Sequence, residues 1–349
     1  MALRTEHQPT RDTPRDASPR FTRREAIGVG GALLVGGGVA AGLAHVAGDE
    51  SGLRAEVFVG KAASYESDLA GVIRSGLREL GVNRAQIRGK RVVLKPNLVE
   101  TAIGEPHINT HPAVVVAAAE ALRQLDAGEI IVAEGQGHRR DSQLVLDESG
   151  MGDALREAKL PFVDLNHDDV DEVVNRARWT TLPSLHLPRT ILSADLVVSM
   201  PKLKTHHWAG VTCAMKNLFG VMPGIVYGWP KNVLHYHGIP ESICDINASV
   251  RPGLSIVDGI VGMEGDGPIM GTPKPLGCLV LGRCAVAVDA CVARLMRLNP
   301  LRVPYLRKAG GRLGPVLDHH IEQRGENVTT LAQPFQLLDV PHLRGLAEI

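Results

Sequence analysis

From residue 55 onward, short apolar runs alternate with longer segments whose apolar positions recur every three or four residues. Residues 55–60, 91–97, 129–135, 161–165, 196–199, 254–258 and 276–281 read as buried strands. Between them, residues 67–81 carry Leu69, Val72, Ile73, Leu77 and Leu80 at helical spacing. A second helix is predicted over 113–125. Thr110 stands where a helix cap is needed and Pro112 where the first turn tolerates proline. Further helices are predicted around 152–158 and over 285–298. This strand–helix alternation predicts an α/β fold, a mostly parallel sheet covered by helices. Residues 179–191 read as a polar hairpin insert, and the last fifty residues as a peripheral segment. Residues 50–349 read as a single α/β region.

The first 48 residues read differently. An arginine-rich tail leads to Thr22-Arg23-Arg24-Glu25-Ala26-Ile27, and an uncharged run rich in Ala, Gly, Val and Leu follows. This resembles a twin-arginine export signal. The alternative is a single membrane anchor, since about 20 apolar residues span a bilayer. The glycines weaken that alternative, although an uncleaved signal would still tether the chain. The expectation is an exported, periplasmic or extracytoplasmic protein. The twin-arginine translocation machinery would be a partner, and the membrane would be touched only through this segment. That route carries proteins already folded, which favours a cofactor inserted before export.

Composition narrows the classes. Thirty-eight acidic and 38 basic residues cancel, so no global field attracts nucleic acid. Five cysteines are present and none forms a CxxC pair, which argues against a ferredoxin-type iron–sulfur module or a four-cysteine zinc site. The odd count excludes a complete disulfide framework, and most of the five are expected to be small buried residues.

Any electrostatic function must therefore be local, and polar residues accumulate at the predicted strand ends. Lys95 and Asn97 end one strand, Glu134 and His138 another. Lys202, Lys204, His206 and His207 end a third, and Asp258 a fourth. Open parallel sheets bind ligands beyond the carboxyl ends of their strands, so these residues point to one composite site. Lys95 is alternatively a snorkelling edge lysine. The stretch from Glu134 to His138, EGQGH, is a glycine-rich turn without the full dinucleotide pattern; its amides suit an anion, or it is a plain tight turn.

Residues 199–220, SMPKLKTHHWAGVTCAMKNLFG, carry the densest signal. Between Asp195 and Asp245 the sole acid is Glu241. Clustered lysines suit phosphate or carboxylate, and a lysine among cations has a depressed pKa that favours nucleophilic chemistry. Histidine supplies a base or a metal ligand. His235 and His237 on an extended segment would point to one side as a two-nitrogen metal clamp, or else be exposed loop histidines. Residues 258–271, DGIVGMEGDGPIMG, read as a flexible loop whose Asp258, Glu264 and Asp266 hold a hard cation, pair with the lysines, or are simply solvated. Asp289, among small apolar residues, requires a lysine or a backbone amide as companion.

The segments VVLKPNLV, THPAVVVAAAEAL, SMPKLKTH with MKNLFG, DGIVGMEGDGP and VAVDACVARLM run in order from about residue 90 to 300. Together they resemble the bacterial and archaeal family called domain of unknown function 362. Some of its members carry iron–sulfur segments. This chain lacks those cysteines, so no iron–sulfur cluster is expected. A second resemblance is to the nickel-pincer lactate racemase superfamily, through Gly137-His138-Arg139, Asp195-Leu-Val, His206, Lys216 and Pro223-Gly224. That resemblance implies a cofactor held covalently by Lys216, acid–base work by His206 and a metal ligand at His235 or His237. The VTCAM segment before Lys216 departs from its pattern. The reading is an enzyme that binds a small anionic substrate or cofactor, with a divalent metal or metal-containing organic cofactor as the candidate additional group. His206, Lys216 and Lys204 are the candidate catalytic residues. Lys95, Asn97, Glu134, His138, Lys202, Asn217 and Asp258 are the candidate binding residues. The alternatives are a non-catalytic binding or maturation protein and a structural protein with a charged but empty cleft.

Overall fold

The computed structural model describes residues 48–137 and 141–347. The arginine-rich N-terminal segment, with the expected export signal, and His138 lie outside the described residues. The strands are β1 (Ala55–Lys61), β2 (Arg91–Pro96), β3 (Glu129–Glu134), β4 (Phe162–Asp164), β5 (Val170–Val174), β6 (Ser184–Pro188), β7 (Leu196–Met200), β8 (Lys202–His206), β9 (Gly210–Thr212), β10 (Leu254–Glu264), β11 (Thr272–Gly282) and β12 (Ile321–Gly325). Ten of them form one sheet along the path β12-β1-β11-β10-β7-β2-β3-β4, with β8 on β10 and β9 on β8. The ladders from β4 to β10 are parallel, as are those of β8 with β10 and β1 with β12. β11 runs antiparallel to both neighbours. The expected α/β fold with a mostly parallel sheet is what the chain adopts.

The apolar runs follow from burial on both sheet faces. Val92, Leu94, Ile130, Val132, Leu279 and Leu281 point into one core. Their neighbours Val93, Ile131, Ala133 and Val280 point into the other. The first core is covered by helices α1 (Leu69–Glu79), α2 (Pro112–Arg123), α3 (Ser142–Glu148) and α4 (Met151–Glu157). The second is covered by α5 (Ala214–Asn217), α7 (Ile239–Val250) and α8 (Ala285–Leu295), with the short α6 (Asn232–Tyr236) between them in the chain. Among the described residues no helix is long and apolar enough to cross a membrane.

Several local expectations change. His111, not Thr110, caps α2, its Nδ1 accepting from the Ala113 amide. The Thr110 hydroxyl instead donates to the Met200 carbonyl and accepts from the Asn97 amide, tying the ends of β2 and β7. The hairpin pairs β5 with β6, so it begins before residue 179, and α3 and α4 replace one expected helix. Residues 258–264 are not a loop: β10 continues to Glu264 past a register shift against β11. The C-terminal segment supplies the edge strand β12 beside β1.

Two features position the site. From β2 the chain moves outward to β3 and β4 and then returns to β7 on the other flank of β2, so the strand order reverses beside β2. Such a switch point opens a crevice at the carboxyl ends. The chain leaves β7 through Pro201 and resumes as β8, which pairs with the upper half of β10.

Candidate functional site

A cavity of about 440 Å³ opens at that switch point. Lys95 and Asn97 from the end of β2 and Glu134 from the end of β3 line it. His206 from β8, Thr212 from β9, Lys216 and Asn217 from α5, and Lys231 and His235 from around α6 complete the polar wall. Leu98, Trp208, Phe219, Pro268 and Met270 make the rest largely apolar, the composition of a small-molecule site.

Lys95 and Glu134 are buried and joined at 2.7 Å. Burial lowers the Lys95 pKa, and the Glu134 charge opposes that shift. The Lys95 ammonium also donates to the Pro96 carbonyl and the Asn217 side-chain oxygen, while Glu134 accepts from the Leu98 and Gly135 amides. The pair is a strut between β2, β3 and α5, and its charges cancel. A Cβ at Gly220 would lie 2.0 Å from Glu134 Oε1, so only glycine fits over the pair.

Lys216 is different. Its ammonium packs over the Phe219 ring at 4.3 Å, and among the described residues it has no hydrogen bond or ion pair. Burial, with Lys95 nearby, pulls its pKa down to about 8. Lys231 is buried and donates to the Asn166 side-chain oxygen and the Met222 carbonyl, with no carboxylate. Burial pulls it down to about 7. Among the described residues, Lys216 and Lys231 are thus the lysines of the wall without a carboxylate partner, while the Asp266 carboxylate lines the cavity beside His207 at 3.4 Å.

Among the described residues three histidines line the cavity, His206, His207 and His235, and the first and last hold opposite tautomers. His206 Nδ1 accepts from the amides of Trp208 and Ala209, which places its proton on Nε2. Burial first, and Lys216 next, hold its pKa well below the ordinary imidazole range. It stands in the cavity wall as a donor through Nε2. His235 Nδ1 donates to the Lys231 carbonyl, leaving Nε2 as the acceptor. Burial, then Lys216, lowers its pKa as well. Asn97 Oδ1 and Thr212 Oγ1 are buried without a hydrogen-bond partner among the described residues.

Four expected members are not part of this wall. Lys202 and Asp258 form a fully buried ion pair that also engages the Tyr65 hydroxyl, with the His111 amide donating to Asp258. Lys204 donates to the Ile108 and Pro268 carbonyls. Burial and the neighbouring Lys202 hold its pKa well below the usual lysine range. Lys202 and Lys204 share the face of His206 on β8, with Leu203 and Thr205 on the other, and are taken up by Asp258 and by the Ile108 and Pro268 carbonyls instead of the cavity. The expected His235–His237 clamp assumed an extended segment. His235 lies in α6 and His237 caps it, so their rings diverge; His237 bonds the Thr181 hydroxyl and does not line the cavity. Among the described residues no three His, Cys, Asp or Glu side chains converge as a metal site. A bare divalent ion does not fit this donor set.

A family model for Domain of unknown function (DUF362) matches residues 92–294, more than half of the chain. The chain belongs to this family. The match spans every strand that carries the site, from β2 to β11. The thylakoid-associated protein sll1697 of Synechocystis sp. is 28% identical over 265 residues, covering 73% of this chain and 78% of that protein. Among solved structures, the lactate racemase apoprotein of Thermoanaerobacterium thermosaccharolyticum is similar with a TM-score of 0.36 and 15% identity. That match covers 62% of this chain and spans about half of the racemase, 52% of its length.

Sequence reasoning overlooked Lys231, Thr212 and Asn166. The segment GWPKN around Lys231 carries one usable signal, a lysine following Pro230 in a stretch with no nearby acid. Asp289 meets its expectation: it accepts from the Ala214 and Met215 amides and the Tyr305 hydroxyl, fixing the start of α5.

Proposed function

We propose that this family member binds a small organic anion with an apolar part in the cavity at the switch point, and acts on it as an enzyme. The observation that carries this reading is Lys216, an ammonium in the cavity wall with no hydrogen bond or ion pair among the described residues. An unpaired charge in a partly buried wall is costly unless a ligand neutralises it. The His206 Nε2–H and the Asn97 and Thr212 side chains supply polar partners for the same ligand, and the apolar wall takes its carbon skeleton. Lys216, at about 8, is close enough to neutrality to exchange a proton or attack a carbonyl as the free amine. His235 Nε2 is the proton acceptor of the wall.

A cofactor held by Lys216 is a second reading, supported by the same amine. Any metal would then arrive inside an organic carrier, because among the described residues no three His, Cys, Asp or Glu side chains converge on a bare ion. We also place the protein outside the cytoplasm, on the Arg23–Arg24 signal.

Ligand binding and chemistry separate at one residue. Lys216→Arg keeps the charge but not the amine. If Lys216 only holds an anion, the arginine variant retains binding and whatever turnover is measured. If it is nucleophile or proton carrier, binding survives and turnover is lost. If Lys216→Met binds every tested anion as the unsubstituted protein does, the reading is wrong.

A further inference from the structure

A second crevice, of about 370 Å³, lies at the far end of the sheet from the cavity described above. It sits where β10 begins and β11 ends, between the last turn of α7 and the first turn of α8. Three guanidiniums line it, those of Arg251, Arg283 and Arg312, and no carboxylate does. The chain carries equal numbers of acids and bases, so three arginines without acids around one opening are a local surplus.

Their hydrogen bonds do not neutralise them. Arg251 donates to the Ala248 carbonyl of its own helix. Arg312 donates to the Ala177 carbonyl and stacks on the Trp179 ring at 3.8 Å, which fixes its plane. Arg283 has no hydrogen bond or ion pair among the described residues. The eleven-residue helix α8 begins at the crevice without a side-chain cap, adding the positive end of its dipole. Asn247, 6% exposed, lines the same crevice, and its Oδ1 has no partner.

We propose that this crevice is a second anion site that takes a phosphate group. Three forked guanidiniums match a dianion with three oxygens better than a single carboxylate. The phosphate is either that of a soluble monoester or that of a lipid headgroup. This site does not depend on the Lys216 cavity, and the two fail separately.

Cys284 provides the reporter, because it lines the crevice and is half-buried while the other four cysteines are buried. Its alkylation by iodoacetamide is followed by peptide mass spectrometry, with phosphorus NMR of the ligand as a direct second measure. The additions are inorganic phosphate, glycerol phosphate, phosphatidylcholine vesicles containing phosphatidic acid, and sodium chloride at matched ionic strength. Phosphate is expected to slow labelling about tenfold, and Arg283→Gln or Arg312→Gln to abolish the effect. Lys216→Met leaves it intact. Protection by the soluble compounds assigns a monoester, and protection by vesicles alone assigns a headgroup; both support the site. Equal protection by chloride, no protection by any addition, or protection that survives both arginine variants overturns it.

Discussion

Lys216 and Lys95 stand in one cavity wall with opposite fates. Lys95 is neutralised by Glu134 at 2.7 Å, whereas Lys216 rests on an aromatic face. Replacing Lys216 by Met should weaken anion binding roughly 10- to 100-fold, the loss expected for a charge-assisted hydrogen bond, without lowering the melting temperature. Titration calorimetry against organic acids beside thermal unfolding checks both halves. The pH dependence follows from the same residues. Lys216 near 8 and Lys231 near 7 are charged below those values and neutral above them. Anion affinity is therefore highest near pH 6 and falls as pH rises through 7 and 8, and binding at pH 8 takes up protons from the buffer. For stability the sign is the reverse. Between about 7 and its ordinary value of 10.5 the unfolded chain holds the Lys231 proton that the folded protein has lost, so this lysine's contribution to stability improves as pH rises. Comparing denaturation of Lys231→Met and the parent across that window should show the parent gaining stability relative to the variant as pH rises.

At the scale of elements, the site depends on how the ends of β2, β3 and α5 are tied. Gly220 allows the Lys95–Glu134 strut to close beneath it. A methyl there clashes with the buried pair, and Gly220→Ala is expected to cost about 3 kcal/mol, the loss typical of breaking a buried ion pair. Chemical denaturation measures it directly. The strands and their α/β arrangement were legible because period and length of apolar runs are local signals. The strand-end polar residues were legible too, since β2, β3, β7 and β10 do end or bend where polarity rises. What the sequence did not show was which polar residues face the cavity. Lys202 and Lys204 share the face of His206 on β8 yet are taken up by Asp258 and by backbone carbonyls, and that depends on β8 pairing with the upper half of β10. Likewise, the separation of His235 from His237 depends on a five-residue helix too short to leave a periodic signature.

At the scale of the whole molecule, two positively charged openings lie at opposite ends of one sheet. Membership of the DUF362 family fixes the region that builds the first of them, residues 92–294. The leader predicts where the protein works. Replacing Arg23 and Arg24 together by Lys should retain the chain in the cytoplasm, read by fractionation against a cytoplasmic marker; unchanged export would mean another route. The central claim is that Lys216 receives an organic anion. Ligand-observed NMR of a pooled library of carboxylates and phosphates, run with the parent and Lys216→Met at pH 6.5 and pH 9, tests it most directly. The account predicts at least one anion that binds the parent at pH 6.5, binds it more weakly at pH 9, and is lost in the variant. Binding that is indifferent to Lys216, or no anion bound at either pH, would contradict it.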